Sequence, residues 1–272
     1  MEYVRLIAIG LVLGVTTLVP GVSTGTMAVV FNVYDRLISV ITPNVKKILA
    51  CWKFWLPLVI GIAIGVFAFS KVITILLTNY TVPTYWFFIG IIAGSVPLVY
   101  RRVRQPGSFA PSLQAAICAI LGFLVMAAMA VLRPAETTIA YNAITPQVFV
   151  TLAGAGALAA VAMILPGISG SFLLLVIGLY RSIVQAVSDL NIPLLIPIAL
   201  GISAGLFIGA ALVRFLIAKA PQETYGAVLG LVTGSILVLY PGSLGNGAGA
   251  IISLVCILTG AAISYFSGRH SH

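Results

Sequence analysis

The chain has 272 residues, of which 61% are hydrophobic and only 7% are charged, and its mean hydropathy is +1.20. A water-soluble surface needs far more polar and charged residues than this, so the composition excludes a soluble protein. It indicates an integral membrane protein that carries a formal net charge of +9.

Apolar stretches follow one another with similar spacing in the two halves of the chain. They cover residues 4–19, 22–42, 54–78, 85–100 and 112–132 in the first half, and 147–165, 168–188, 193–218, 225–240 and 248–266 in the second. A spanning helix needs about 20 apolar residues, and the first stretch of each half is slightly shorter. We therefore predict that the first two stretches of each half form a re-entrant hairpin and that the other three cross the membrane.

A Pro-Gly-x-Ser motif interrupts the apolar sequence once in each half. Residues 20–23 carry it first and residues 166–169 carry it again, and Tyr34 returns as Tyr180 at the same offset of 146 residues. Duplicated helix breaks are typical of transporters whose broken helices meet at a substrate site near the bilayer midplane. The repeat therefore predicts a transporter.

The repeat extends over most of both halves, because several positions of residues 57–100 match residues 197–240 at an offset of 140. An odd number of crossings per half gives the second half the opposite orientation, so the repeats are predicted to be inverted. The predicted organisation is a first inverted repeat at 1–133, a linker at 134–146, a second inverted repeat at 147–268 and a polar tail at 269–272. The fold class is an all-α polytopic membrane protein, each repeat being a re-entrant helical hairpin plus about three transmembrane helices.

Basic residues predict the orientation of the chain in the membrane. With a cytoplasmic N-terminus, eleven of the 14 Lys and Arg residues fall on or near the cytoplasmic side, as the positive-inside rule requires. Both termini are therefore expected in the cytoplasm. The basic clusters at 46–47 and 101–104 are interpreted as contacts to anionic lipid headgroups, and nucleic acid is not expected as a partner.

The two Pro-Gly tips are the predicted substrate site. Each tip ends one helix, and Ser23 or Ser169 follows as a natural N-cap of the next. Backbone N–H groups and hydroxyls at two facing tips would all donate toward an anion such as phosphate. The candidate phosphate-binding residues are Gly21, Ser23, Thr24, Gly25, Thr26, Gly167, Ser169, Gly170, Ser171 and Arg181. The alternative is that Pro-Gly is a tolerated kink whose hydroxyls only satisfy freed backbone groups.

Charged residues follow the repeated tyrosines. Asp35 and Arg36 come after Tyr34, and Arg181 stands at the position that matches Asp35. Arg181 could bind phosphate bidentately, while Asp35 could carry a coupling proton or form an ion pair with Arg36 or Arg181. The alternative is a solvated ion pair at a helix end that reaches the interface.

No cofactor and no metal ion are expected. The three cysteines have no metal-type spacing, and the only histidines, His270 and His272, lie in the polar tail. The glycines at 61, 65, 90 and 94, and their counterparts in the second half, have the spacing of close helix packing and are assigned to it.

These motifs resemble a known family. Segments 20–26 and 34–36, together with segments 166–175 and 178–180, are similar to the paired signatures of the polyprenyl-phosphate transporter family called PopT. The resemblance covers essentially the whole chain. It implies a multi-pass protein of the bacterial cytoplasmic membrane that returns undecaprenyl phosphate, the carrier lipid of cell-wall synthesis, from the outer to the inner leaflet. One departure is Thr24, where that family more often has Gly.

A second resemblance supplies a rival function. Segments 17–26 and 166–171 are similar to two segments of undecaprenyl-pyrophosphate phosphatases, but Thr17, Thr26 and Gly170 stand where that family has Glu, His and Arg. Hydrolysis needs proton transfer and charge neutralisation, which those groups would supply. We therefore predict a lipid translocase without catalytic residues. A phosphatase-like enzyme and a small-anion or ion transporter remain as alternatives. The expected partners are membrane lipids, and a homo-oligomer is left open.

Overall fold

The computed structural model describes residues 2–19, 22–104, 110–131, 144–189 and 191–269. Within these ranges the chain is helical, and its one β-bridge, between Arg104 and Pro111, is isolated. The helices are α1 (Glu2–Thr17), α2 (Thr24–Val30), α3 (Tyr34–Val40), α4 (Val45–Ala50), α5 (Trp52–Asn79), α6 (Thr81–Val103), α7 (Leu113–Val131), α8 (Pro146–Ile164), α9 (Gly170–Val176), α10 (Tyr180–Ser188), α11 (Ile192–Lys219), α12 (Pro221–Leu239) and α13 (Ala248–Arg269).

Seven described helices are long and apolar enough to cross a membrane: α5, α6, α7, α8, α11, α12 and α13. Six of them coincide with the predicted crossings, which confirms an all-α polytopic membrane protein. The seventh, α8, is the first arm of the second predicted hairpin. Its counterpart α1 has 16 residues and is therefore about 24 Å long, shorter than the hydrocarbon core of about 30 Å.

The second arm of each hairpin is broken, which the apolar pattern did not predict. Residues 22–42 form α2 and α3, and residues 168–188 form α9 and α10. The two breaks lie at equivalent positions, because Asn32 has φ 56° and Gly178 has φ 75°. A left-handed residue ends the regular helical hydrogen bonding, so each hairpin continues as two short helices.

Close helix pairs build the rest of the molecule. Helix α1 packs along α5 and α8 along α11, while α6 packs along α13 and α12 along α7. Glycines allow these approaches: a side chain at Gly61 would meet the Ile7 carbonyl, and one at Gly201 would meet the Ala153 carbonyl. Small residues at the contact are the usual basis of helix association in membranes, so the packing role predicted for the glycines is confirmed.

The two halves interlock rather than stand side by side. The last helix of each half, α7 or α13, pairs with a helix of the other half, and α6 packs against α12. Arg214 of α11 reaches across to the end of α3, where it donates to the Ile38 carbonyl and, at 2.7 Å, to the Ile41 carbonyl. The pairings agree with two related halves. The inverted orientation of the repeats stays a prediction.

Candidate functional site

The two tips meet at a cavity of about 170 Å³. Its lining residues are Thr17, Val19, Val22, Ser23, Thr24, Met163, Ile168, Ser169, Gly170 and Ser171. The structure thus brings five predicted site residues, two from the first tip and three from the second, to one small space. The described lining includes no acidic, basic or histidine side chain, and its polar side chains are the hydroxyls of Thr17, Ser23, Thr24, Ser169 and Ser171.

Ser23 has the cap role that the sequence predicts. It occupies the N-cap of α2 with φ −87° and ψ 121°, and its Oγ accepts a hydrogen bond from the Thr26 N–H at 3.4 Å. Because Ser23 only accepts in that bond, its own hydroxyl hydrogen can be donated elsewhere. The neighbouring Thr24 hydroxyl also lines the cavity and has no protein hydrogen-bond partner within the described ranges. The first tip therefore offers two hydroxyl donors.

Ser169 holds the equivalent position in a different way. It stands at the N-cap of α9, as predicted, but its side chain makes no cap hydrogen bond. Instead its Oγ lies 2.9 Å from the Oγ of Ser171. A hydrogen bond between two hydroxyls uses one hydrogen and leaves the other, so the second tip offers one further donor.

Two hydrogen bonds fasten the tips to each other. The Gly167 N–H donates to Thr26 Oγ1 at 2.7 Å, and the Tyr34 hydroxyl donates to the Ile164 carbonyl at 3.1 Å. Gly25 is buried at the same contact, where a side chain would lie 3.1 Å from the Met163 carbonyl. Gly25, Thr26 and Gly167, all predicted to bind phosphate, therefore hold the tips together and are not among the residues that line the cavity.

Two predicted site residues cannot be placed. Gly21 lies outside the described residues. Arg181 is the second residue of α10, but its side chain lies outside the described part of the structure. A role for either in phosphate binding stays a prediction.

Asp35 has partners that the sequence analysis did not name. Its carboxylate accepts from Arg102 Nη1 at 2.6 Å and from the Tyr225 hydroxyl at 2.8 Å. Arg102 also donates to the Tyr225 hydroxyl at 2.7 Å and to Asn32 Oδ1. Arg36 pairs instead with Glu2 at 3.2 Å on the exposed surface.

This group, named the Arg102 cluster and consisting of Asn32, Asp35, Arg102 and Tyr225, joins the break between α2 and α3 to helices α6 and α12. The interpretation of residues 101–104 as headgroup contacts is therefore wrong for Arg102, which lies over the Tyr225 ring with its guanidinium carbon 5.2 Å from the centroid. One partial signal was available in the sequence, because Tyr225 repeats Tyr85 at the offset of 140 residues. Nothing in the sequence distinguishes Arg102 from its neighbours, because only the fold brings it to Asp35.

These features define a class of protein: a polytopic membrane protein in which two broken hairpins meet at a cavity whose described lining carries hydroxyl side chains and no charged ones. A family model described as undecaprenyl phosphate translocase-like matches residues 13–247 of the chain. The chain belongs to that family.

Two relatives agree with this assignment. A polyprenyl-phosphate transporter of Staphylococcus aureus (strain NCTC 8325 / PS 47) is 29% identical over 270 residues, which cover 96% of this chain and 94% of that protein. A polyprenyl-phosphate transporter of Vibrio cholerae serotype O1 (strain ATCC 39315 / El Tor Inaba N16961) is 29% identical over 255 residues, covering 89% of this chain and 79% of that protein. No solved structure matches the chain.

Proposed function

We propose that this protein translocates undecaprenyl phosphate from the outer to the inner leaflet of the bacterial cytoplasmic membrane and so recycles the carrier lipid of cell-wall synthesis. The observation that carries the proposal is the shared cavity of the two tips, with hydroxyls of both hairpins on its wall. Family membership and the two polyprenyl-phosphate transporters similar to the chain support the substrate class.

The chemistry of the cavity suits a phosphate headgroup. A bare phosphate is strongly disfavoured in hydrocarbon, so a translocase has to replace its water with hydrogen-bond donors. Ser23 and Thr24 of the first tip and the Ser169–Ser171 pair of the second supply hydroxyl donors around a space of about 170 Å³. No described carboxylate lines this space to repel the anion. Gly21 and Arg181 belong to the same proposed site through the sequence repeat.

The same cavity argues against hydrolysis. Cleaving a pyrophosphate requires a group that moves protons and a charge that stabilises the leaving group. Thr17 stands where the related phosphatases have an acid, and its hydroxyl already donates to the Gly14 carbonyl at 2.6 Å. Thr26 stands at their histidine position and accepts from Gly167. We therefore propose a translocase and not an enzyme.

Alternating access follows from the predicted inverted repeats. Hairpins that enter from opposite faces would each present one side of the cavity, and movement of one hairpin against the other would open the site first outward and then inward. The proposal has both termini in the cytoplasm, as the distribution of basic residues predicts. The Arg102 cluster would then lie on the cytoplasmic side of the tips, where it closes the first hairpin against α6 and α12.

Reconstitution in liposomes tests the proposal. Vesicles carry undecaprenyl phosphate, and the accessibility of its headgroup in each leaflet is measured together with free inorganic phosphate. We expect leaflet exchange without phosphate release, reduced at least tenfold in the Ser23→Ala/Ser169→Ala double variant. Ser203→Ala is the matched control, because the Ser203 hydroxyl lies on the exposed face of α11 and bonds to the Ala199 carbonyl.

Other outcomes select other functions. Phosphate release from added undecaprenyl pyrophosphate would favour the phosphatase-like enzyme. Phosphate or chloride flux into vesicles without polyprenyl lipid would favour the small-anion carrier. Normal leaflet exchange in the double variant would show that the Ser23 and Ser169 hydroxyls do not bind the phosphate.

A further inference from the structure

A second, larger cavity lies between the helix pairs α1–α5 and α6–α13. Its volume is about 690 Å³, within the range of about 300–1,000 Å³ that small-molecule sites occupy. Most of the wall consists of aliphatic and aromatic side chains, and Phe31, the C-cap of α2, is one of them. This cavity, named the apolar cavity below, is separate from the hydroxyl-lined cavity at the tips.

The two threonine hydroxyls on its wall already donate to backbone carbonyls. Thr16 is fully buried, and its Oγ1 donates to the Leu13 carbonyl at 2.8 Å. Thr84 Oγ1 donates to the Tyr80 carbonyl at 2.7 Å. These bonds leave neither threonine a hydrogen for a polar ligand, so the wall favours an apolar occupant.

Two elements connect the apolar cavity with the hydroxyl-lined one. Thr16 lines the former and Thr17 the latter, so both cavities border the last turn of α1. Helix α2 also links them: it begins at Thr24 on the hydroxyl-lined cavity and ends before Phe31 on the apolar cavity. Its seven residues are about 10 Å long. A molecule with an anionic head and an adjoining apolar chain fits this pair of sites.

We propose that the apolar cavity binds the head-proximal part of the isoprenoid chain while the phosphate occupies the cavity at the tips. This inference rests on the proposed function and adds a chain-binding site to it. Several wall residues are exposed at the rim, with Val72 46%, Ile252 48% and Ile263 43% exposed. The cavity thus reaches the lipid-facing surface, and the rest of a long chain can continue into the bilayer. The protein then selects its lipid by chain as well as by headgroup.

Photocrosslinking identifies the occupant directly. A polyprenyl phosphate with a benzophenone in its first isoprene units is reconstituted with the full chain, irradiated, and its adducts are mapped by mass spectrometry. We expect adducts on the segments of α5, α6 and α13 around the apolar cavity, including the peptide with Cys256. Excess undecaprenyl phosphate should compete at least tenfold better than phosphatidylglycerol. Adducts spread over the outer faces of α7 and α11, or equal competition by both lipids, would show ordinary boundary lipid and overturn the proposal.

A bulky substitution at the rim supplies an independent test. Val72→Trp fills the apolar cavity from an exposed position, and Leu212→Trp is the matched control. Leu212 is the counterpart of Val72 at the 140-residue offset, is 45% exposed, and does not line this cavity. We expect Val72→Trp to lower transport of undecaprenyl phosphate at least tenfold and Leu212→Trp to lower it less than twofold.

Inorganic phosphate separates the head site from the chain site. Because it has no isoprene chain, it should compete for binding in Val72→Trp with an apparent affinity within threefold of that for the unmodified protein. If the unmodified protein transports the long lipid and both tryptophan variants do so equally well, the chain site is refuted while the proposed function stands. If the unmodified protein transports no polyprenyl phosphate, the proposed function itself fails.

Discussion

The two tips have nearly the same sequence pattern but very different surroundings. In α2 every residue from Gly25 to Val30 is buried, whereas in α9 no residue is buried. Helix α2 packs against α6 as well as α8, while α9 packs mainly on α8 and α10. Duplicated sequence has therefore produced one enclosed tip and one open tip.

Substitutions between the repeats add a difference in polar contacts. Thr26, which accepts the hydrogen bond from the second tip, is replaced by Phe172 at the equivalent position. Asn32 and Asp35, which bind Arg102, are replaced by Gly178 and Arg181. The first tip is fastened by polar contacts that the second tip does not repeat. We therefore expect the second hairpin to be the part that moves during transport.

The largest effect is expected from Gly167→Ala at the open tip. Gly167 has φ +94°, and an added Cβ would lie 2.5 Å from the carbonyl group of Leu231. The left-handed backbone and the overlap together should cost about 3 kcal/mol and lower the melting temperature in detergent sharply. Gly242→Ala is the control, because Gly242 has φ +87° with nothing within 4 Å of its Cβ. Equal losses in both variants would show that backbone strain alone acts at Gly167.

Thr26→Val should have the next largest effect. It removes the acceptor of the buried Gly167 N–H, which costs about 1–2 kcal/mol when no other partner is available. Thr26→Ser retains the oxygen and should keep most of the stability. Thermal unfolding in detergent measures both variants, and a fully stable valine variant would show that the two tips do not depend on this bond.

Arg102→Ala should destabilise the closed first hairpin by about 1–2 kcal/mol, less than a fully buried pair, because the Arg102 and Asp35 side chains are 27% and 48% exposed. Arg101→Ala is the control on the same helix, since Arg101 is exposed. A double-mutant cycle with Asp35→Asn should show coupling between Arg102 and Asp35. Additive effects of the two substitutions would show that the ion pair is not the cause of the lost stability.

Single serine substitutions at the two tips should differ in how much they lower the stability of the protein. Ser23→Ala removes a helix cap and should cost about 0.5–1 kcal/mol, whereas Ser169→Ala removes no cap and should leave the melting temperature almost unchanged. Both should slow leaflet exchange, because both remove a hydroxyl from the cavity. Equal melting temperatures would contradict the difference in capping.

Hydrogen exchange compares the tips without a substitution. Amides of α9 should exchange at least tenfold faster than those of α2, because local opening exposes little additional apolar surface where no residue is buried. Mass spectrometry of the reconstituted protein measures both peptides. Similar protection would mean that the two hairpins are equally fixed.

Much of the fold could be predicted from hydrophobic pattern alone. The apolar stretches located the long helices to within a few residues, and the duplicated Pro-Gly-x-Ser motif located the two tips that line the cavity. Ser23 was recognisable as a cap because its residue type and position suit that role. The spacing of Gly61 and Gly65 indicated close packing for the same local reason.

The remaining features depend on contacts between distant parts of the chain. The pairing of Asp35 with Arg102 joins residues 67 positions apart, and no local pattern indicates it. The break at Asn32 was missed because asparagine adopts positive φ only occasionally, whereas the glycine at 178 adopts it at no cost. The unequal burial of α2 and α9 arises from neighbours that the repeat does not specify.

The pairing of α7 and α13 with helices of the other half has a consequence for how the protein is synthesised. Helix α6 emerges from the ribosome well before α13, its main packing partner. The end of α3 is likewise synthesised long before Arg214 of α11, which bonds to it. During synthesis the first half must therefore reside in the membrane with part of its packing surface covered by lipid or by the insertion machinery. Assembly is completed from the C-terminus, so loss of α13 should expose the whole chain to membrane quality-control proteases.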